Sequence, residues 1–587
     1  MPVATEYSFG PDASSNVFDW RGLVRAFLFF WYFSAICQGI LLAINATGFV
    51  PFRQGFTLSL LWLIPLLLFP RRARPISALI GIVLWLCSLV SLGYLAIYGQ
   101  EFSQSVLFIA FESNPAESAE YLGQYFRWWM VPAALVYSAG AYWLWRGIRP
   151  LRMKPLGRGL IIALIVGVLF ISPATKVMRK GFTIEKMKEA MVTRMEPVIP
   201  WQFLIAYAHY ESQLAEMQAM IERSRNIPPI AGLRDAHAGE ACTLVLVIGE
   251  STSRLHMSLY GYGRDTSPKL TAMRDKLTVF DNIYSPRPYT IETLQQVLTF
   301  ADQENPNLYL TRPSLMSIMQ QAGYRTYWIT NQQTLTQRNT MLTSFSEQMD
   351  EQIYLNHSRS QNAYSFDGVV LEPFQRILED GHPRRFIVVH LLGTHMRYQF
   401  RYPPEYDVFT GRTGLPDWAT DAHAPAINEY DNAVRYNDFV VSSLIEKLAA
   451  ANGGGDAKSM LVYFSDHGED VYDGPGHDFD GRNEAKPTIP MYAVPFLLWQ
   501  SDAWHAGEPR RFERYTGRNY QTSHFIHTWA DLAGLSFDDF DPSKSVVNDA
   551  FRERPILVGD PEDPETLSDL LKPGQSPTKQ ASGKKKK

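Results

Sequence analysis

The residues best suited to chemistry stand directly behind apolar runs. In CTLVLVIGEST, which begins at Cys242, a β-branched stretch stops at Gly249 and Glu250 follows at once. Farther along, Met460 to Phe464 stops in the same way at Ser465-Asp466-His467-Gly468-Glu469. Such runs read as buried parallel strands, and open α/β sheets hold their ligands beyond the carboxyl ends of those strands. Glu250, Asp466 and His467 together offer two carboxylates and an imidazole, an oxygen and nitrogen set that suits zinc. His395, in GTHMRYQFRYPP, follows a third run, Phe386 to Leu392, and His477 lies in the glycine-rich loop GPGHDFDG. Singly, each acidic residue reads as a loop residue or helix cap and each histidine as a structural side chain. Several strand ends that supply the same kinds of ligand favour a shared site.

Thr290, in SPRPYTIETLQQVLTFA, follows Pro288 and opens a helical pattern. It should stand near a helix amino terminus, where unpaired amides and the dipole favour an anion. Capping explains such a threonine as well as catalysis does. A hydroxyl bound to zinc, however, loses its proton near neutral pH and becomes a usable nucleophile.

Strand candidates Leu244 to Ile248, Thr278 to Asn282, Arg325 to Thr330, Phe386 to Leu392, Met460 to Phe464 and Val494 to Trp499 alternate with helical patterns. That alternation predicts an α/β domain over residues 240–560, with a mainly parallel sheet flanked by helices. The first third of the chain is different. Apolar segments at Leu23 to Ile44, Phe56 to Phe69, Ile76 to Tyr98, Trp128 to Trp145 and Gly159 to Pro173 predict an α-helical membrane domain of five transmembrane helices over 21–173. The second and fifth are short and must recruit neighbours such as Gln54 and Gly55, or Ala174 and Val177. Residues 1–20 lack the basic start and small-residue cleavage site of a signal peptide, so a cytoplasmic amino terminus ahead of a retained anchor is expected.

Arg71, Arg72 and Arg74 follow the second segment, and Arg146, Arg149, Arg152, Lys154 and Arg158 follow the fourth. The opposite loops hold Arg53 and the acidic stretch GQEFSQSVLFIAFESNPAESAEYLGQ. Basic loops stay inside, so five spans deliver everything after Pro173 to the outer face, which in a bacterium is the periplasm. Residues 174–239 read as connecting amphipathic helices. Phe203, Tyr207, Tyr210, Leu214, Met217 and Ile221 form one stripe, packed on the soluble domain or lying on the membrane surface, and Pro228 and Pro229 end it. Residues 561–587, polar and closing on Lys584 to Lys587, read as a disordered tail. A net charge of only −4 argues against a nucleic-acid partner. Cys242 alone lies outside the apolar segments, so the polar portion holds no internal disulfide.

Taken in order, VIGEST, SLYGYGRDTSP, RPYTIE, HLLGTHMRYQFRYP, YFSDHGEDVYD and VPFLLW downstream of the apolar segments resemble the phosphoethanolamine transferases of the alkaline phosphatase and sulfatase superfamily. The likeness extends through YWITNQQT, RNTMLT and IHTWADLAGLSFDDFDPSKSVVN and so covers nearly the whole chain. It implies an alkaline phosphatase-like catalytic domain in which Glu250, Asp466 and His467 bind zinc, with Thr290 as both fourth ligand and nucleophile. It also implies that His395 and His477 contact the transferred phosphate or hold a second zinc, making one or two Zn2+ in all. Ser113 and Glu117 in FESNPAES match a loop associated with the donor head group, although Ile109 stands where some relatives carry asparagine.

The implied reaction takes phosphoethanolamine from the membrane lipid phosphatidylethanolamine, releases diacylglycerol, and passes the group through a phosphothreonine to lipopolysaccharide at the inner membrane. Lipid A-modifying relatives usually carry several disulfides, so their absence here points to the core heptose as acceptor rather than lipid A. The added amine should lower surface negativity and alter tolerance to cationic peptides. The same ligands would serve a glycerophosphate transferase or phosphatase. A sulfatase needs a Cys/Ser-x-Pro-x-Arg setting that Thr290-Ile291-Glu292 does not supply, and a non-enzymatic membrane scaffold would not need the full ligand set.

Overall fold

A computed structural model describes residues 17–44, 47, 49–98, 126–179, 184–195, 197–224, 229–333, 344–356, 365–451, 457–484, 486–507, 512–563 and 566–572. These form two compact units, one ending at Gln213 and the other beginning at Leu214.

The first unit is helical. Asp19 caps the opening helix, Trp20–Ala43, by accepting a bond from the Gly22 amide at 2.9 Å. A second helical run, Phe49–Leu68, begins earlier than its apolar core because residues 49–55 extend it. Helices Ala73–Tyr98, Met130–Arg146 and Pro155–Arg179 follow. Four of these runs are long and apolar enough to cross a bilayer. Met130–Arg146 has only 17 residues, about 25 Å at 1.5 Å per residue, and falls short by itself. All five predicted apolar segments are therefore helical, but four, not five, meet the length and hydropathy requirement among the described residues.

Several polar groups between these helices are paired with one another, as an apolar surrounding favours. Tyr137 donates to Ser88 Oγ at 2.7 Å and Trp85 Nε1 to Ser138 Oγ at 2.9 Å. The expected connector is in part integral to this unit. Val198 and Ile199 are buried in its core, Trp201 stacks on Trp62 at 5.7 Å, and Gln202 Nε2 donates to Ser91 Oγ at 2.5 Å. Of the predicted stripe on helix Trp201–Ser224, Tyr210 is buried and Tyr207 exposed. The side chains of Leu214, Met217 and Ile221, like Pro228, lie outside what the structure describes.

The second unit is built on a seven-stranded sheet. Its strands are β1 (Cys242–Gly249), β2 (Leu277–Val279), β3 (Arg325–Gln333), β4 (Glu351–Asn356), β5 (Arg384–His390), β6 (Lys458–Ser465) and β7 (Phe496–Gln500), in the spatial order β2-β7-β6-β1-β5-β3-β4. Strands β4, β3, β5, β1 and β6 run parallel, whereas β7 is antiparallel to both β6 and β2. The sheet is thus mainly parallel with a mixed edge.

Every residue of β1 is buried, and successive residues serve opposite layers. Leu244, Leu246 and Ile248 pack under helices Thr290–Val297, Leu315–Gln321 and Phe525–Leu532. Val245 and Val247 pack under Leu371–Leu378 and Ala424–Ala451. Each such side chain contributes about 1.5–3 kcal/mol of burial, which holds the strand ends rigidly. The fold also continues past the expected boundary at 560. Leu557–Val558 pairs with Ser568–Asp569, and Leu570 joins Tyr284, Tyr492 and Val558 in a small core. Residues 573–587 lie outside the described residues.

Candidate active site

The register of the sheet assembles the site. Gly249 of β1 pairs with Ser465 of β6, so the two strands end level and Glu250 and Asp466 leave them side by side. Glu250, Asp466 and His467 are buried, and each offers one ligand atom within 4.8 Å of the others. Nε2 of His467 lies 3.2 Å from Glu250 Oε1 and 3.3 Å from Asp466 Oδ2. Extended Tyr289 holds the cap position of helix Thr290–Val297, so Thr290 is its first residue rather than its cap. The half-buried Thr290 hydroxyl donates to Glu250 Oε2 at 2.9 Å and stands 3.4 Å from His467 Nε2.

Neighbouring groups fix these side chains. His467 Nδ1 lies 2.9 Å from the Gly468 carbonyl. A carbonyl only accepts, so Nδ1 carries the proton and the Nε2 lone pair faces the carboxylates. The amides of Ser251 and His467 donate to Asp466 Oδ1 at 3.1 and 2.7 Å, while Oδ2 is buried with no hydrogen-bond partner. Ser251 Oγ donates to Glu250 Oε1 at 2.7 Å, and Gln332 Nε2 donates to Glu250 Oε2 at 3.2 Å and to the Leu391 carbonyl at 2.8 Å. Ser251 itself is left-handed, φ 58°, a conformation that a non-glycine residue keeps only when its surroundings impose it. Tyr430 supplies that constraint, accepting from the Ser253 amide at 2.8 Å and donating to the Ser251 carbonyl at 2.7 Å.

Two carboxylates facing an imidazole lone pair in a buried space call for a cation. Burial opposes the ionisation of Glu250, but His467, His395 and Arg482 outweigh it and hold the carboxyl well below its usual range. Asp466 goes the other way, pushed well above that range by burial and then by the charge on Glu250. Burial and the Arg482 guanidinium lower His467, which keeps its ring neutral. Three buried oxygen and nitrogen donors, one carboxylate oxygen unpartnered, and a hydroxyl at the rim fit a metal ion with an open position.

The remaining predicted residues fare differently. His395 follows β5, and its Nδ1 is buried without a hydrogen-bond partner. Burial lowers its pKa to about 3 against the pull of Glu250, which places it within electrostatic reach of the site but outside the trio. His477 is not brought to the trio. Its backbone is left-handed, φ 52°, its Nδ1 lies 2.6 Å from the Tyr472 carbonyl, and its ring stacks on Trp418 at 3.9 Å. Among the described residues, Glu250, Asp466 and His467 are the one group of three or more such side chains close enough to share a metal ion, and neither His395 nor His477 belongs to it. Ser113, Glu117 and Ile109 lie outside the described residues.

Two contributors escaped the reading of the sequence. Arg482 reaches His467 Nε2 at 2.6 Å, and Gln332 anchors Glu250. Gln332 stood in YWITNQQT at a strand's carboxyl end, the one cue that pointed to it.

Comparison with known proteins agrees with this geometry. The Sulfatase family matches residues 243–535. Phosphoethanolamine transferase EptC of Escherichia coli K12 is 49% identical over 550 residues, spanning 93% of this chain and 95% of EptC. The crystal structure of the C-terminal periplasmic domain of E. coli EptC in complex with Zn superposes with a TM-score of 0.57 at 52% identity, covering 60% of this chain and 98% of that one. The integral membrane lipooligosaccharide phosphoethanolamine transferase A of Neisseria meningitidis shares the fold at 18% identity, with a TM-score of 0.59 over 90% of this chain and 99% of that one.

Apolar helices followed by a sulfatase-type α/β domain with a buried candidate metal site define a membrane-anchored, metal-dependent transferase. Within that class, the chain belongs to the EptC family of phosphoethanolamine transferases.

Proposed function

We propose that this chain transfers phosphoethanolamine from phosphatidylethanolamine to lipopolysaccharide, with the core heptose as acceptor, through a covalent phosphothreonine at Thr290. The reading rests on one observation: the Thr290 hydroxyl, at the head of its helix, donates to Glu250 Oε2 beside His467 Nε2. Glu250, Asp466 and His467 would hold a single zinc ion, whose Lewis-acid charge lowers the pKa of a neighbouring hydroxyl and balances charge on phosphoryl oxygens.

The side chains then have distinct tasks. The bond to Glu250 aims the Thr290 hydroxyl, and the proton that hydroxyl loses is matched by the one the departing oxygen takes up. In the first half-reaction the Thr290 Oγ1–P bond forms, the P–O bond to diacylglycerol breaks, and the departing oxygen takes up a proton. In the second, an acceptor hydroxyl oxygen bonds to phosphorus, its proton is released, and Thr290 leaves with its hydroxyl restored. His395, neutral through burial, stands ready to donate from its ring to a phosphoryl oxygen. The donor's ammonium end is assigned to Ser113 and Glu117 on the resemblance of FESNPAES alone. Five membrane crossings with a cytoplasmic amino terminus, the 17-residue helix included, would place the catalytic unit in the periplasm at the inner membrane.

Intact-mass analysis of purified protein incubated with phosphatidylethanolamine tests the chemistry. Wild type should gain one phosphoethanolamine, Thr290→Ala none. Mass spectra of lipopolysaccharide from a deletion strain and its parent, with core and lipid A separated, test the acceptor. An adduct on the Thr290→Ala variant, or unchanged lipopolysaccharide in the deletion strain, refutes the assignment.

A further inference from the structure

Arg482 follows Gly481, which pairs with Asp470 in a two-residue ladder just after the Asp466-His467-Gly468-Glu469 segment. Its Nε lies 3.2 Å from Glu469 Oε2, on a carboxylate that is fully buried and has no other ion pair among the described residues. From that tether Nη1 reaches His467 Nε2 at 2.6 Å, the Pro288 carbonyl at 3.4 Å and Glu250 Oε1 at 4.0 Å. Nη2 makes no hydrogen bond among the described residues. The guanidinium therefore bridges from Glu469 to the backbone two residues before Thr290.

The bond to His467 uses the lone pair that a metal ion held by the trio would take. One lone pair serves only one of them. Ligation leaves Nη1 with only the Pro288 carbonyl at 3.4 Å and Nη2 with no acceptor among the described residues, in a site where the Arg482 side chain is 13% exposed, so the guanidinium gains by finding a new acceptor there. A planar fork of donors beside the nucleophile matches two oxygens of a phosphoryl group. We infer that Arg482 binds the phosphoryl oxygens of the group carried by Thr290, a role outside the metal-binding trio. This rests on the transferase reading above and identifies a further group that touches its substrate.

The test uses full-length, detergent-solubilised protein and inorganic phosphate as the probe. Phosphate affinity of the zinc-loaded protein is measured by calorimetry, and zinc affinity by competition with a chromophoric chelator, for wild type, Arg482→Gln and Arg482→Lys. Arg482→Gln should weaken phosphate roughly 10- to 100-fold, and Arg482→Lys should fall between, since a point charge replaces the fork. Zinc should bind both variants at least as tightly as wild type, because the competing donor is gone or shortened.

Unchanged phosphate affinity in the variants, no phosphate binding by wild type, or zinc affinity falling in step with phosphate would each overturn the inference. The last result would make Arg482 a prop for His467. Arg482→Lys carries the comparison if Arg482→Gln does not fold. Failure of the transferase reading registers separately, as the absence of a wild-type adduct on Thr290.

Discussion

Replacing Asp466 with asparagine should stabilise the metal-free protein and abolish its stabilisation by zinc. The Glu250 and Asp466 ligand atoms lie within 4.8 Å of each other, where two unit charges at an effective dielectric of 20 repel by roughly 3–4 kcal/mol. The protein escapes part of that by protonating Asp466, whose pKa burial and Glu250 push well above the carboxylate range. A carboxyl raised in the folded state contributes stability below its unfolded pKa and loses it as pH climbs through the folded value. Asparagine has no such loss.

Asparagine also preserves the geometry. Its Oδ1 keeps the bonds from the Ser251 and His467 amides, and Nδ2 takes the place of the unpartnered Oδ2 with no charge facing Glu250, while the His467 Nε2 lone pair stays with Arg482. The expected gain without metal is about 1–3 kcal/mol near pH 8, shrinking toward zero near pH 5. With an unfolding entropy of ~0.7 kcal/mol/K for a unit of this size, that is roughly 1–4 °C. Zinc at about a thousandfold excess over its Kd should add about 4 kcal/mol, or ~6 °C, to wild type and nothing to the variant. Thermal melts with chelator and with zinc, at both pH values, read all four quantities. A variant that melts below wild type at pH 8 without metal, or that zinc stabilises equally, refutes the reasoning.

Tyr430→Phe strands the Ser253 amide and the Ser251 carbonyl in a buried space; a loss of about 2–4 kcal/mol in denaturant melts is expected, with transfer falling further as Ser251 relaxes. At Gly393, φ 57°, a Cβ would come within 2.5 Å of the Glu250 carbonyl oxygen. Gly393→Ala should therefore displace Glu250 and weaken zinc, measured by chelator competition, by roughly tenfold or more while the fold survives. Burial lowers His390 and His527 to about 4 and His524 to about 3, and raises Glu292 and Asp480 to about 7 and Glu469 to about 8. The histidine contributions are full above about pH 6.5 and lost on acidification, and the carboxyl contributions are lost as pH rises through 7 to 8. Three histidines and three carboxyls roughly cancel between about pH 4.3 and 6.5, so a series of metal-free melts should be level there and fall from about pH 6.5 to 8; a melting temperature that keeps rising to pH 9 contradicts the burial of these carboxyls.

The parts of this molecule that its sequence exposes are those that leave the sheet directly. Strands β1, β5 and β6 are buried on both faces, so each writes an unbroken apolar run, and Glu250 and Asp466 are conspicuous because they end such runs in register. β4 is an edge strand of half-buried residues, EQIYLN, and leaves no such run. β2 shrinks from the expected Thr278 to Asn282 to Leu277–Val279 at the other edge. The same logic divides the site. Thr290 was legible as a helix start, but its aim at Glu250 was not, since only the fold sets that distance.

Arg482 and His477 lie in one loop after β6, yet its folding sends the first to the trio and stacks the second on Trp418. Neither outcome is periodic. The direction depends on the ladder joining Asp470 to Gly481 and on the left-handed turn at His477. What the chain encodes locally is therefore the set of candidate metal ligands. The group that answers the phosphoryl oxygens is encoded in how a loop closes, and for that reason substitution of Arg482, rather than of a metal ligand, separates binding of the ion from binding of the group transferred.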